Sequence, residues 1–158
     1  MMARPVDPAG AQDAPLVPDE ALIEEMERIP APALLYLPGG RITAVNRAAA
    51  SLSDQPVIGI TIGELIEGHR AVRADGSRLI PSDLPYIRAL RGEVVDQGER
   101  IEMTLPGGRI YRAMVTSKPV IVDGTVVAAL SVWHDFDAYV RNLALSSPPA
   151  PDRSAERR

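Results

Sequence analysis

Apolar positions along the chain follow two rhythms, a helical one near its ends and in its middle and a strand-like one elsewhere. Leu22, Ile23, Met26 and Ile29 share one face of a predicted helix, Glu20 to Ile29, which Asp19 caps, acids open and Pro30 stops. A single stripe of four apolar residues is too little to fold alone. The helix, with its flanks residues 19–30, must therefore dock on the rest of the chain or on a second copy. In the second case Leu22, Ile23, Met26 and Ile29 are the interface of a homodimer.

Ala33 to Leu37 is a short, wholly apolar run, and Pro38-Gly39-Gly40 turns it back into Arg41 to Val45 as a tight hairpin. Asn46 is a natural cap for a small Ala-rich helix, Arg47 to Ser53. Residues 54–80 carry Gly59, Gly63, Gly68 and Gly76 with only one-turn helical fragments such as Ile62 to Glu67, and are the least regular stretch. Pro81 then opens a helix to about Arg91, ended by Gly92, with Leu84, Ile87 and Leu90 as its buried edge. Three strands follow, Glu99 to Leu105, Arg109 to Val122 and Thr125 to His134, joined by Pro106-Gly107-Gly108 and by Asp123-Gly124. Asp135 caps a last helix, Phe136 to Leu145. The hexapeptide Leu-Pro-Gly-Gly-Arg-Ile occurs at 37–42 and again at 105–110, but its flanks share little. Repeated turn chemistry accounts for it better than an internal duplication.

The outcome is an α+β domain with five antiparallel strands. The first and last strands are apolar on both faces, the mark of interior strands, and placing them side by side gives the order 2-1-5-4-3. The middle helices then cover one face, and the N- and C-terminal helices are free to cover the other. Alternation along the two longest strands lines the first face with Tyr111, Ala113, Val115 and Ser117, and with Val127, Ala129, Ser131 and Trp133. That is an apolar hollow with two hydroxyls, either a small-ligand pocket or a space filled by its own side chains.

Composition changes the picture mainly at the ends. Pro5, Pro8, Pro15 and Pro18 crowd residues 1–18, and Pro148, Pro149 and Pro151 crowd the end, so residues 1–18 read as a disordered leader and 142–158 as a helix end with a disordered tail. Residues 1–27 hold seven acids and one arginine, net −6, against −4 for the whole, so the remainder is nearly neutral. With no basic stripe and six aromatics in all, nucleic acid is not an expected partner. The absence of Cys removes disulfides, thiolate metal sites, cysteine nucleophiles and cysteinyl-flavin photochemistry. The start has no apolar signal core and no apolar stretch is long enough to span a bilayer, so no membrane association and a cytoplasmic location are expected.

Four segments, in order, are similar to runs of one protein family. Gly40-Arg41-Ile42-Thr43-Ala44-Val45-Asn46-Arg47-Ala48-Ala49 is similar to its opening segment. The run from Asp75-Gly76 through Leu84-Pro85 to Arg88-Ala89-Leu90-Arg91-Gly92-Glu93 is similar to one common in bacterial and archaeal members. Lys118-Pro119-Val120 with Asp123-Gly124 looks like the penultimate hairpin, and Asp135-Phe136-Asp137 stands where an Asp-Ile-Thr sequence joins the last strand to the output helix. The third position here is Asp137 in place of the hydroxyl residue. By these four segments the chain resembles the PAS superfamily of sensory modules, a resemblance that spans residues 31–141.

It implies a sensory domain of the kind found in two-component systems, which binds a small molecule or a protein partner, such as a histidine kinase or another regulator, and relays the change through its terminal helices. The alternative is a ligand-free module used only for dimerisation or protein–protein contact. In the first reading Tyr111, Val115, Ser117, Ala129, Ser131 and Trp133 line the pocket, while Asp135, Phe136, Asp137 and Tyr139 form the relay junction. Haem and flavin both fit poorly. Trp133 fills the place where flavin-binding relatives carry a polar residue, His69 lies in the irregular stretch, and His134 alternates away from the hollow. No metal motif, activated nucleophile or convergent acid–base pair is legible, so no enzymatic activity is expected.

Overall fold

The computed structural model describes residues 19–146; the expected leader and tail lie outside the described residues. Asp19 accepts from the Leu22 amide and starts α1 (Glu20–Glu27), which closes at Arg28, one half-turn earlier than the apolar spacing predicts. The chain then runs through β1 (Ala33–Tyr36), β2 (Ile42–Val45), α2 (Arg47–Ala50), α3 (Ile62–Gly68), β3 (Val72–Arg73), a 3-10 turn at Pro81–Asp83, α4 (Tyr86–Leu90), β4 (Arg100–Thr104), β5 (Ile110–Val122), β6 (Thr125–Asp135) and α5 (Phe136–Ser146).

The six strands form one antiparallel sheet in the order β2-β1-β6-β5-β4-β3, so the first and last long strands are central neighbours, as their two-faced apolarity requires. The added strand is β3, at the edge beside β4. With two residues it carries no alternation, and it is built by a local turn instead. There the Asp75 carboxylate accepts from the amide (2.9 Å) and hydroxyl (2.6 Å) of Ser77, and Arg73 pairs with Asp83 at 2.6 Å.

The two Leu-Pro-Gly-Gly-Arg-Ile segments make the same turn. In the first the Gly40 amide donates to Leu37 and the Leu37 amide to Arg41; in the second Gly108 donates to Leu105 and Leu105 to Arg109. All four glycines have φ between 88° and 97°, a region costly for other residues, which explains the repeat by geometry alone.

The helix expected over residues 81–91 is broken. Leu84 is extended (φ −87°, ψ 151°) because the Pro85 ring disfavours helical geometry in the residue before it. The break turns α4 so that Tyr86 and Ala89 are its buried residues, while Ile87 and Leu90 are only partly covered. On β6, Val127 packs with the outer face. Ala128 pairs with Val120 but Val126 with Ile121, so Val127 is an extra residue in a bulge that reverses the alternation.

Two apolar layers result. The inner one joins β1, β4, β5 and β6 to α2, α3 and α4; the outer one gathers Ala33, Leu35, Ala44, Ala128 and Leu130 around Met26 of α1. Between β4 and α4 the chain bulges at Asp96 to Gly98, since Val95 bonds Ser117 in both directions and the next contact is from the Val115 amide to Glu99. A Cβ on Gly98 would stand 2.2 Å from the Val115 carbonyl oxygen and 2.7 Å from Pro85 Cγ. Gly98→Ala should therefore part the strands and cost about 1–3 kcal/mol. A urea midpoint equal to that of the unsubstituted protein would refute this.

Candidate functional site

Three places bring together the side chains that the sequence singles out: the inner face of the sheet, the base of α1 and the start of α5.

On the inner face Val115, Ser117, Ala129, Ser131 and Trp133 are all buried and adjacent, on β5 and β6. The two serines stand directly opposite each other with their hydroxyls 2.9 Å apart, and Ser117 also reaches the Leu130 carbonyl at 3.4 Å. They satisfy one another and so do not present free groups to a guest. Tyr111 sits apart, half-buried at the rim, where its hydroxyl donates to the Trp133 carbonyl at 2.8 Å. Burial, with the Asp135 charge nearby, pushes this phenol up to about 12.

The face is closed by two residues that come from outside β5 and β6. Tyr36 of β1 and Tyr86 of α4 meet with ring centroids 5.1 Å apart, tilted by 49°. Tyr36 is hidden inside a run that is apolar on both faces, and Tyr86 is turned inward by the break at Pro85. Tyr36 and Trp133 are each 1% exposed, and neither the Tyr36 hydroxyl nor the Trp133 indole N–H has a hydrogen-bond partner. Burial pushes the Tyr36 phenol above its usual range. The void left beside Trp133, lined also by Leu34, Ala49, Leu65, His69 and Met103, measures about 20 Å³. Outside it lies a surface cleft of about 440 Å³, and Ser53, Val57, Leu65 and His69 line both.

At the base of α1, three of the four residues expected at a homodimer interface are engaged within the chain. Met26 is 1% exposed in the outer layer, Leu22 and Ile29 pack beside it, and Ile23 is left exposed at 42%. Asn46 does more than cap α2. Its Oδ1 accepts from the amides of Ala49 (2.9 Å) and Ala33 (3.0 Å), while its Nδ2 donates to the carbonyls of Ala31 (2.9 Å), Met26 (3.0 Å) and Ile29 (3.2 Å). One buried amide thus ties the end of α1 and its linker to β1 and α2. Its local role is legible as a cap, but carbonyl acceptors leave no mark in a sequence.

At the start of α5, Asp135 accepts from the Ala138 amide at 2.9 Å and caps the helix. The Arg100 guanidinium lies 4.2 Å over the ring of Phe136, a cation–π contact. Asp137 is exposed in the first turn, where negative charge suits the helix dipole. Tyr139 donates its hydroxyl to the Asp96 carbonyl at 2.8 Å and its ring stands 5.1 Å from His134. His134 is half-buried, 3.0 Å from the Thr116 hydroxyl, and burial pushes its imidazole below the ordinary value.

Among the described residues no group of three His, Asp or Glu is placed to hold a metal ion, and no helix is long and apolar enough to cross a membrane.

No family model and no curated protein matches the sequence. Solved structures do match the fold. A PAS domain from Colwellia psychrerythraea is 18% identical, with 71% of this chain and 91% of that one covered and a TM-score of 0.50. The Rhodobacter sphaeroides LOV protein is 13% identical, with 87% and 74% covered and a TM-score of 0.51. A light-oxygen-voltage domain studied with a flavin analogue is 15% identical, with 82% and 98% covered and a TM-score of 0.51. At these identities the likeness concerns the course of the chain, and with the strand order and the layered helices it shows that this protein has the PAS fold.

Proposed function

We propose that the chain is a PAS-type signalling module that works through contact with a protein partner and keeps its core closed to small molecules. The observation that carries this reading is the interior. Trp133, Tyr36 and Tyr86 fill the inner face, the Ser117 and Ser131 hydroxyls bond each other, and a void of about 20 Å³ remains. Sites for small molecules are typically about 300–1,000 Å³. Neither a haem nor a flavin, whose analogue was studied in one of the light-oxygen-voltage neighbours, has comparable space here, and a chain without Cys lacks the thiol for a cysteinyl adduct.

The terminal helices are the natural carriers of the signal, because each is joined to the sheet through a small set of contacts: Asn46 and the Met26 face for α1, and Tyr139 with the Asp135 cap for α5. A histidine kinase or another regulator is the class of partner that the family resemblance suggests, and a homodimer would have to use surface other than the docked face of α1. No catalytic step belongs to this reading.

Native mass spectrometry on the full chain tests it. The expected spectrum carries the mass of the bare polypeptide, in whichever oligomeric state it adopts, and a metabolite thermal-shift screen should give no stabilisation. A retained adduct, or one metabolite that raises Tm at concentrations near its Kd, would favour the ligand-binding reading instead. That reading has one observation in its favour: Ser53, Val57, Leu65 and His69 line both the void and the 440 Å³ cleft.

A further inference from the structure

We propose that His134 is a proton-operated latch for α5: the neutral imidazole holds the first turns of the helix against the sheet, and protonation releases them. His134 is the next-to-last residue of the central strand, beside the Asp135 cap and on the outer face of the sheet, so it lies under the helix that begins there. Its ring is 5.1 Å from that of Tyr139, whose hydroxyl bonds the carbonyl of Asp96 in the bulge, and its Nε2 is 3.0 Å from Thr116 of β5. Strand, bulge and helix therefore converge on a single imidazole.

The surroundings suit the neutral form better than the charged one. From β5 come Thr116 and Lys118, the latter a cation already paired with Glu25 of α1 at 3.2 Å. The linker after α1 and β6 itself supply Ile29 and Val132, both apolar. Of the carboxylates near it, Asp96 of the bulge lines the same cleft as His134 and Glu25 is taken up by Lys118, while Asp135, which caps α5, and Tyr111 share a second cleft with His134 and Tyr139. Arg100 lies at the other end of the first turn, over Phe136.

Because burial holds the imidazole below its ordinary value in the attached state, the detached state binds the proton more readily. Attachment is then at full strength above the ordinary histidine pKa of about 6.5 and weakens as pH falls below it.

Hydrogen exchange of the α5 amides, corrected for intrinsic rates, is the measurement. Between pH 7.5 and 5.5 the opening of α5 should increase by about three- to tenfold, up to about tenfold for each pH unit spanned between the two pKa values. Amides of β1 and β6 should not follow. In His134→Gln, which cannot titrate, the acid-induced increase should disappear. An increase of the same size in that variant would overturn the proposal, as would stronger α5 protection in acid, the outcome if attraction of an imidazolium to the Tyr139 ring outweighed burial. Should the variant fail to fold, an NMR titration of His134 in the unsubstituted protein decides: a pKa at or above about 6.5 refutes the latch.

Discussion

Trp133→Ala should lower the free energy of unfolding by about 3–5 kcal/mol and give the protein a guest-binding cavity it does not otherwise have. Trp133 is fully buried at the end of the central strand, flanked by Leu34, Leu65 and Met103, and the existing 20 Å³ void already touches it. Removing the indole joins that void to a space on the order of 100 Å³ or more, the scale at which apolar cavities take up benzene-sized guests. Denaturant titration followed by circular dichroism measures the loss, since the variant has no tryptophan to report it. Millimolar indole should then raise the Tm of the variant and leave the unsubstituted protein unchanged. A loss below about 1 kcal/mol would show that the indole is not the plug of the core. Rescue by indole would show that the fold tolerates a ligand in this place and that Trp133 is what excludes one.

Asn46→Ala should be about as damaging, at roughly 3 kcal/mol or more, for a different reason. It strands the buried amide of Ala33 and the part-buried carbonyl of Ala31 and removes the cap of α2, while the Met26 carbonyl keeps the Ile29 amide; each buried polar group left without a partner costs about 1–3 kcal/mol and a lost cap about 1 kcal/mol. Asn46→Asp separates the two halves of the clamp. The carboxylate still accepts from Ala33 and Ala49, but it turns a second oxygen toward the three carbonyls that Nδ2 had served. The aspartate variant should be no more stable than the alanine variant at neutral pH. It should recover part of its stability in acid, where a protonated carboxyl can donate once more. The sign follows from linkage: a carboxyl whose pKa is raised by facing carbonyls gains folded-state stability as pH falls. Urea midpoints between pH 4.5 and 8 measure this, and a midpoint that falls or stays level in acid would sink the argument.

Much of the architecture was legible because it is written in periodicity and turn chemistry. Ala33 to Leu37 and Thr125 to His134 are apolar on both faces, and this alone puts the first and last long strands together at the centre. Asp19, Asn46 and Asp135 each occupy the cap position expected of them. What escaped is contact set by the course of the backbone. Val72–Arg73 is too short to show a period, Val127 changes face because of a bulge, and α4 turns because Pro85 sits inside what looked like one helix.

The inner-face residues Val115, Ser117, Ala129, Ser131 and Trp133 were legible as neighbours, since alternation fixes the face a side chain takes. Whether they bound a pocket or fill one was not. That depends on Tyr36 and Tyr86 arriving from other elements, and on the Ser117 and Ser131 hydroxyls finding each other across the strands.

The way α1 is held has a consequence for how such a chain can change over time. Nδ2 of Asn46 recognises the main chain at Met26, Ile29 and Ala31 and ignores the side chains there. Substitutions on the solvent side of this stretch leave the clamp intact, so the surface of α1 is open to rapid divergence and to the acquisition of new partners. Beyond the apolar face of Met26, Leu22 and Ile29, the polar constraint on this attachment falls mainly on one asparagine outside the helix.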